Sequence, residues 1–272
     1  MEKEMKYSFM TFSTPEMEFN AVADTARKFG YSGVEIRVDA GHAHGIERDS
    51  DTSLREEARS AAADAGIEIC CIATSCRFAD PETETETHIQ AREALELARD
   101  VGASCIRVFG GPVPESTDRE ESISYMSGSL LKAADFAREQ NVAICLETHD
   151  DWCDPAHVAR VMETCSHPFV RVNWDIMHPV RTGKAAMGEA FDILKPWIRH
   201  VHFHDGTWDN GIEMVPVGQG GIDHRRALKC LAAADYQGFL SGEWINWEPW
   251  EHHLPRELAA MKAYEQELSS SS

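Results

Sequence analysis

The sequence predicts an α/β fold, a closed (β/α)8 barrel of eight parallel βα units occupying residues 1–272 as one domain. Three observations predict it. Short apolar or β-branched runs alternate with Ala, Leu, Glu and Arg-rich stretches of helical character, the signature of βα units around a parallel sheet. The alternation is not broken by a Pro/Gly/Ser-rich linker or an abrupt change of composition. Finally, no GxGxxG turn follows the first run to argue for a doubly wound open sheet, whereas closure of eight parallel strands removes both edges.

The strand candidates are, in order, "YSFMTF", "GVEIRV", "IEICCIA", "SCIRVFG", "VAICLE", "VRVNWD", "IRHVHFH" and "GFLSGEW". Helix starts are expected at Thr14 before Pro15 and at Asp154 before Pro155, where a side-chain acceptor caps the first turn and proline suits its first position. Gly30, Gly66, Gly102 and Asn141 are expected to end helices in the left-handed conformation. The acidic "TETETH" of residues 83–88 reads as a solvated helix start, and the terminal "LSSSS" as a disordered tail.

Bulk properties bound the function. With 43% hydrophobic and 26% charged residues the chain should form a substantial core. Its net charge of −20, from 46 acidic and 26 basic residues, would repel nucleic-acid phosphates and excludes DNA or RNA as an expected partner. The opening "MEKEMKYSFM" lacks the apolar core of a signal peptide, and no later run is long enough to span a membrane. The expectation is a soluble, cytoplasmic protein with no membrane partner; homo-oligomerisation is left open. Its eight cysteines show no paired CxxC pattern and are expected as buried reduced thiols, with Cys70 and Cys71 on opposite faces of their strand.

In a barrel of this kind the carboxyl ends of the strands converge on one mouth. Four successive strands end there in Glu147, in Asp175, in one of His200, His202 and His204, and in Glu243. Three carboxylates brought together in a partly dry pocket repel one another unless a cation sits between them. A divalent metal resolves that conflict. The oxygen-rich donor set favours Mn²⁺ or Mg²⁺, with Co²⁺ or Zn²⁺ also accommodated. His42 and His44, in "DAGHAHGIE", read as solvated loop histidines. Trp152, Trp208, Trp244, Trp247 and Trp250 follow the candidate ligands closely, where they serve either as rings for a ligand to stack on or as packing anchors.

The motifs "LETHDD", "NWDIMH", "VHFHD" and "SGEW", in this order and spacing, resemble the xylose-isomerase-like TIM-barrel superfamily of sugar and sugar phosphate isomerases and epimerases, which includes ketose 3-epimerases and the endonuclease IV branch. The resemblance runs from the first strand to the eighth. It implies one divalent metal held by Glu147, Asp175, His202 and Glu243. His202 is selected because the ligand histidine of the family is followed by two residues and then an acid, here Asp205. The resemblance also implies that His178 contacts substrate oxygens, that His204 stands where many relatives have lysine, and that Glu147 and Glu243 flank the substrate. The implied activity is isomerisation or epimerisation of a carbohydrate by proton abstraction next to a carbonyl, through an enediolate. Where ketose 3-epimerases carry a glutamate and an arginine, this chain has Cys153 and Trp208, so Trp208 is a candidate substrate contact and a free ketohexose is not implied. Dehydration or lysis of an inosose- or keto-sugar-like substrate is the alternative. An endonuclease IV-like phosphodiesterase would require a histidine after the fourth strand, which reads "IRVFGGPVP", and a non-catalytic sugar-binding barrel would have no need of paired glutamates.

Overall fold

Residues 4–209 and 211–270 are described by a computed structural model. Eight parallel strands close into a barrel: β1 (Lys6–Met10), β2 (Gly33–Arg37), β3 (Glu68–Arg77), β4 (Cys105–Phe109), β5 (Ala143–Glu147), β6 (Val170–Asp175), β7 (Ile198–Phe203) and β10 (Phe239–Gly242). Between the last two, β8 (Asp205–Thr207) and β9 (Glu213–Val215) form a separate antiparallel pair. Each of the eight candidate runs overlaps one barrel strand, with β1 starting one residue earlier, at Lys6, and β3 running on past Ala73 to Arg77. Helices α1 (Phe19–Phe29), α2 (Thr52–Ala65), α3 (Glu84–Val101), α4 (Arg119–Gln140), α5 (Pro155–Cys165), α6 (His178–Arg181), α7 (Met187–Leu194), α8 (His224–Ala233) and α9 (Trp250–Ser270) are interleaved with the strands. None of them is long and apolar enough to cross a membrane.

The helix ends mostly obey local chemistry. Gly30, Gly66, Gly102 and Asn141 close α1 to α4 with positive φ, and the Asp154 side chain accepts from the Ala156 N–H at the start of α5. Thr14 is different. It closes a 3-10 turn over Thr11–Ser13 and opens a second turn through the Met17 N–H, so α1 begins only at Phe19. The acidic segment does start α3, with Glu84 and Glu86 in its first turn. Leu268, Ser269 and Ser270 belong to α9 and not to a disordered tail; Ser271 and Ser272 lie outside the described residues.

Because side chains alternate along a strand, odd and even positions of the barrel build two different interiors. Ile144, Leu146, Val172 and Trp174 pack outward into the large core beneath the helices. Inside the barrel a small apolar floor is made by Cys70, Cys71, Cys105, Ala143, Cys145 and Phe239. Cys70 and Cys71 thus share one cluster instead of opposite faces. A register shift supplies the reason: Val34 pairs with Ile69 but Glu35 with Cys71, so Cys70 is an extra bulged residue. All eight cysteines are free and buried. Above the floor the interior turns polar, with Ser8, Glu35, Arg107, Glu147, Asn173, Asp175, His200, His202 and Ser241 all at most 1% exposed.

Candidate active site

Strand ends deliver the four carboxylate and imidazole groups to one place. Glu147 and Asp175 are the last residues of β5 and β6, His202 is the penultimate residue of β7, and Glu243 lies one residue beyond β10. Register sets their common height, since Glu147 pairs with Asn173 and Asp175 with His202. Each offers a ligand atom, and these atoms all lie within 4.8 Å of one another. His202 Nδ1 is 2.7 Å from Glu147 Oε1 and 3.3 Å from Glu243 Oε2.

The residues fit a divalent cation on their own chemistry. Glu147 Oε2 and Asp175 Oδ2 are buried with no hydrogen bond of good geometry among the described residues, although Arg107 Nε lies 3.3 Å from the first and His204 Nε2 3.0 Å from the second; three carboxylates in one dry pocket leave room for the further positive charge of a cation. Three hard oxygen donors and one imidazole are the donor set that Mn²⁺ or Mg²⁺ accepts.

Sequence reasoning missed three groups around this cluster. Arg107, from the middle of β4, is 1% exposed; its Nη1 donates to the Thr74 carbonyl at 2.7 Å, Nε lies 3.3 Å from Glu147 Oε2, and Nη2 lies 3.9 Å from Glu243 Oε1. Glu35, from β2, is fully buried against His200 Nε2 at 2.9 Å and His202 Nε2 at 3.0 Å. Burial pushes the Glu35 carboxyl up, but His202 and His200 outweigh it and hold it well below the usual carboxylate range. His149 stands two residues past Glu147, its ring 4.3 Å from that of His178. Burial draws the His149 imidazole down, and Asp150, 2.7 Å from its Nδ1, more than reverses the shift. The signals were present: an acid and an arginine inside otherwise apolar strands, and the histidine of "LETHDD".

His178 opens α6 and is buried beside Asp175, whose Oδ1 accepts the Met177 and His178 N–H groups at 2.8 and 3.2 Å. The Arg181 Nε–H donates to His178 Nδ1 at 2.6 Å, so the neutral ring carries its hydrogen on Nε2, 3.8 Å from Asp175 Oδ2. Burial lowers the His178 imidazole to about 4. His204 donates from Nδ1 to the Glu243 carbonyl at 3.1 Å and sets Nε2 3.0 Å from Asp175 Oδ2. Burial acts against its charge, yet Asp175 prevails and raises it to about 9. Glu243 is held at about 2, burial being overcome by His202, Arg107 and His204.

Other candidates lie elsewhere. Trp208 packs over Gly221 near the β8 and β9 pair, and among the described residues no hydrogen bond or ring contact joins it to the cluster. Trp152 and Trp244 are buried anchors, the first donating to the Gly111 carbonyl and the second edge-on to Phe203. His42 and His44 are buried on either side of Thr11 Oγ1, each 3.4 Å away, and not solvated. Burial lowers His44 to about 4.

Known proteins share this framework at low identity. The chain is 22% identical over 262 residues to the 3-dehydroshikimate dehydratase of Bacillus anthracis, covering 89% of this chain and 91% of that protein. It is 22% identical over 247 residues to the L-ribulose-5-phosphate 3-epimerase UlaE of Salmonella typhimurium, covering 78% of this chain and 77% of the other. Among solved structures, the probable 3-DHS dehydratase AsbF of Bacillus anthracis superposes with a TM-score of 0.80 at 21% identity, covering 95% and 99% of the two chains. The 3-keto-D-glucoside 4-epimerase YcjR of E. coli gives 0.79 at 18% identity, covering 96% and 100%. A family model described as xylose isomerase-like TIM barrel matches residues 23–264, and with the closed eight-stranded barrel this establishes that the chain belongs to that family.

Proposed function

We propose that the chain is a divalent-metal-dependent enzyme that removes a proton from the carbon beside a carbonyl of a small carbohydrate-like substrate and isomerises or epimerises it. The observation that carries this reading is the convergence of Glu147, Asp175, His202 and Glu243 on one buried point. These four residues would hold the metal, which when bound supplies Lewis-acid stabilisation of the negative charge that develops on the carbonyl oxygen. His178 points its Nε2–H inward and would donate to a substrate oxygen. Charged His204 fixes Asp175 from the other side, its two N–H groups directed to Asp175 and the Glu243 carbonyl. Glu147 and Glu243 approach from different strands, β5 and the end of β10, as two groups able to take and return a proton. The named epimerases among the similar proteins support this chemistry.

A second reading is dehydration, and Arg107 favours it. Its guanidinium contacts both glutamates, and a carboxylate stabilised as strongly as Glu243 is a weak base. Proton removal would then fall to His149 in its neutral form, oriented through Nδ1 by Asp150, with His178 beside it as a hydrogen-bond donor. Loss of a hydroxyl from the next carbon would follow, as the name of the Bacillus anthracis dehydratase suggests for that protein.

One experiment tests both. Keto-sugars, their phosphates and cyclic hydroxy-ketones are incubated with the Mn²⁺-loaded protein in heavy water and followed by NMR and mass spectrometry. Solvent deuterium on the carbon next to the carbonyl, without change of composition otherwise, supports isomerisation or epimerisation; loss of one water supports dehydration. Neither exchange nor product across the panel would contradict both.

A further inference from the structure

We propose that Glu35 is a positioning residue of the metal centre, a buried carboxylate on β2 that turns the His202 ring so that Nδ1 faces Glu147, Asp175 and Glu243. The proposal rests on the metal reading given above and goes beyond it, because Glu35 lies outside the four-residue cluster.

The geometry carries it. Both ring nitrogens of His202 are engaged, on opposite sides: Nε2 is 3.1 and 3.0 Å from the two Glu35 oxygens, and Nδ1 meets Glu147 and Glu243. An ionised carboxylate only accepts, so Nε2 must carry the hydrogen. Nδ1, 2.7 Å from Glu147 Oε1, is then the nitrogen that would give up its hydrogen when a cation takes its place among the carboxylates. Glu35 is itself held in place, since Oε2 also receives His200 Nε2 at 2.9 Å, two residues earlier on the same strand face. The side chains of Glu35, His200 and His202 are at most 2% exposed, so solvent does not compete for the array. A buried acid inside a parallel strand is costly, and packing alone gives no reason for one beneath a ligand histidine. Carboxylates that accept the second N–H of a metal-bound imidazole fix its tautomer and orientation, and their removal typically weakens metal binding by about 10- to 100-fold.

The test measures Mn²⁺ affinity by competition with a chelating dye for wild type, Glu35→Gln and Glu35→Asp, each first shown to be folded by circular dichroism at the working temperature. A purely structural role would lower the melting temperature of the metal-free protein without weakening Mn²⁺ binding by the folded form. The expected result is binding about 10- to 100-fold weaker in Glu35→Gln. If that variant does not fold, the shortened Glu35→Asp is expected to bind more weakly than wild type as well. In the Zn²⁺-loaded wild type, ring ¹⁵N shifts of His202 should report metal on Nδ1 and hydrogen on Nε2. Wild-type Mn²⁺ affinity in either folded variant, or the reverse tautomer, would overturn the proposal while leaving the metal centre intact. Absence of Mn²⁺ binding by the wild type would remove the metal centre and the proposal together.

Discussion

Arg107 Nε lies 3.3 Å from Glu147 Oε2, and both side chains are 1% exposed. This is a buried ion pair whose arginine also approaches Glu243. Arg107 is therefore a permanent cation that offsets the carboxylates of the barrel interior in the metal-free protein.

Replacing it by methionine should be expensive without metal. Breaking a buried pair from one side costs about 3–5 kcal/mol, because a charge is left uncompensated. Thermal melts of Arg107→Met should show a large loss of stability in chelator and a smaller one in saturating Mn²⁺, since a bound cation takes over part of the neutralisation. An unchanged melting temperature in chelator would show that the pair does not balance the site.

His178→Ala separates binding from chemistry. The ring lies 3.8 Å from Asp175 Oδ2 and is anchored from outside by Arg181. The variant should keep its Mn²⁺ stoichiometry while turnover of whichever substrate is found falls by about 10²- to 10⁴-fold, the range for loss of a positioned acid or base. Loss of metal in this variant would make His178 a ligand and undo its assigned role.

His204 gives a pH signature in the metal-free protein. Its imidazole rises from an ordinary value of 6.5 to about 9 in the fold. The folded state then holds the proton more tightly than the unfolded one, so the stabilisation is complete below about 6.5 and is lost as pH climbs through about 9. Chemical denaturation between these limits should show stability declining with pH, and His204→Gln should flatten that part of the curve. An equally steep decline in the variant would place the titration elsewhere.

Much of this architecture was legible because barrel strands advertise themselves as apolar runs between helical stretches, and because a chemistry-bearing residue at a strand end has one place to go. Glu147, Asp175 and Glu243 could be read that way, whereas the choice of His202 over His200 and His204 came from the family resemblance. Glu35 and Arg107 sit within "GVEIRV" and "SCIRVFG", where strand periodicity assigns them an inward face but does not say which partners across the barrel will meet them. Those partners belong to β7 for Glu35, and to β5 and the end of β10 for Arg107. The bulge at Cys70 is equally invisible to a period of two, since one extra residue reverses the face of all that follow. His42 and His44 looked exposed because their loop is polar; burial around Thr11 is a tertiary fact.

The central claim is that Glu147, Asp175, His202 and Glu243 form one divalent-metal site, and elemental analysis with Mn²⁺ titration tests it most directly. Protein purified without chelator, or reloaded with Mn²⁺, should carry one ion per chain, and Asp175→Ala and His202→Ala, each folded, should lose it. Stoichiometric metal retained by both variants, or no divalent metal bound by the wild type, would contradict the account.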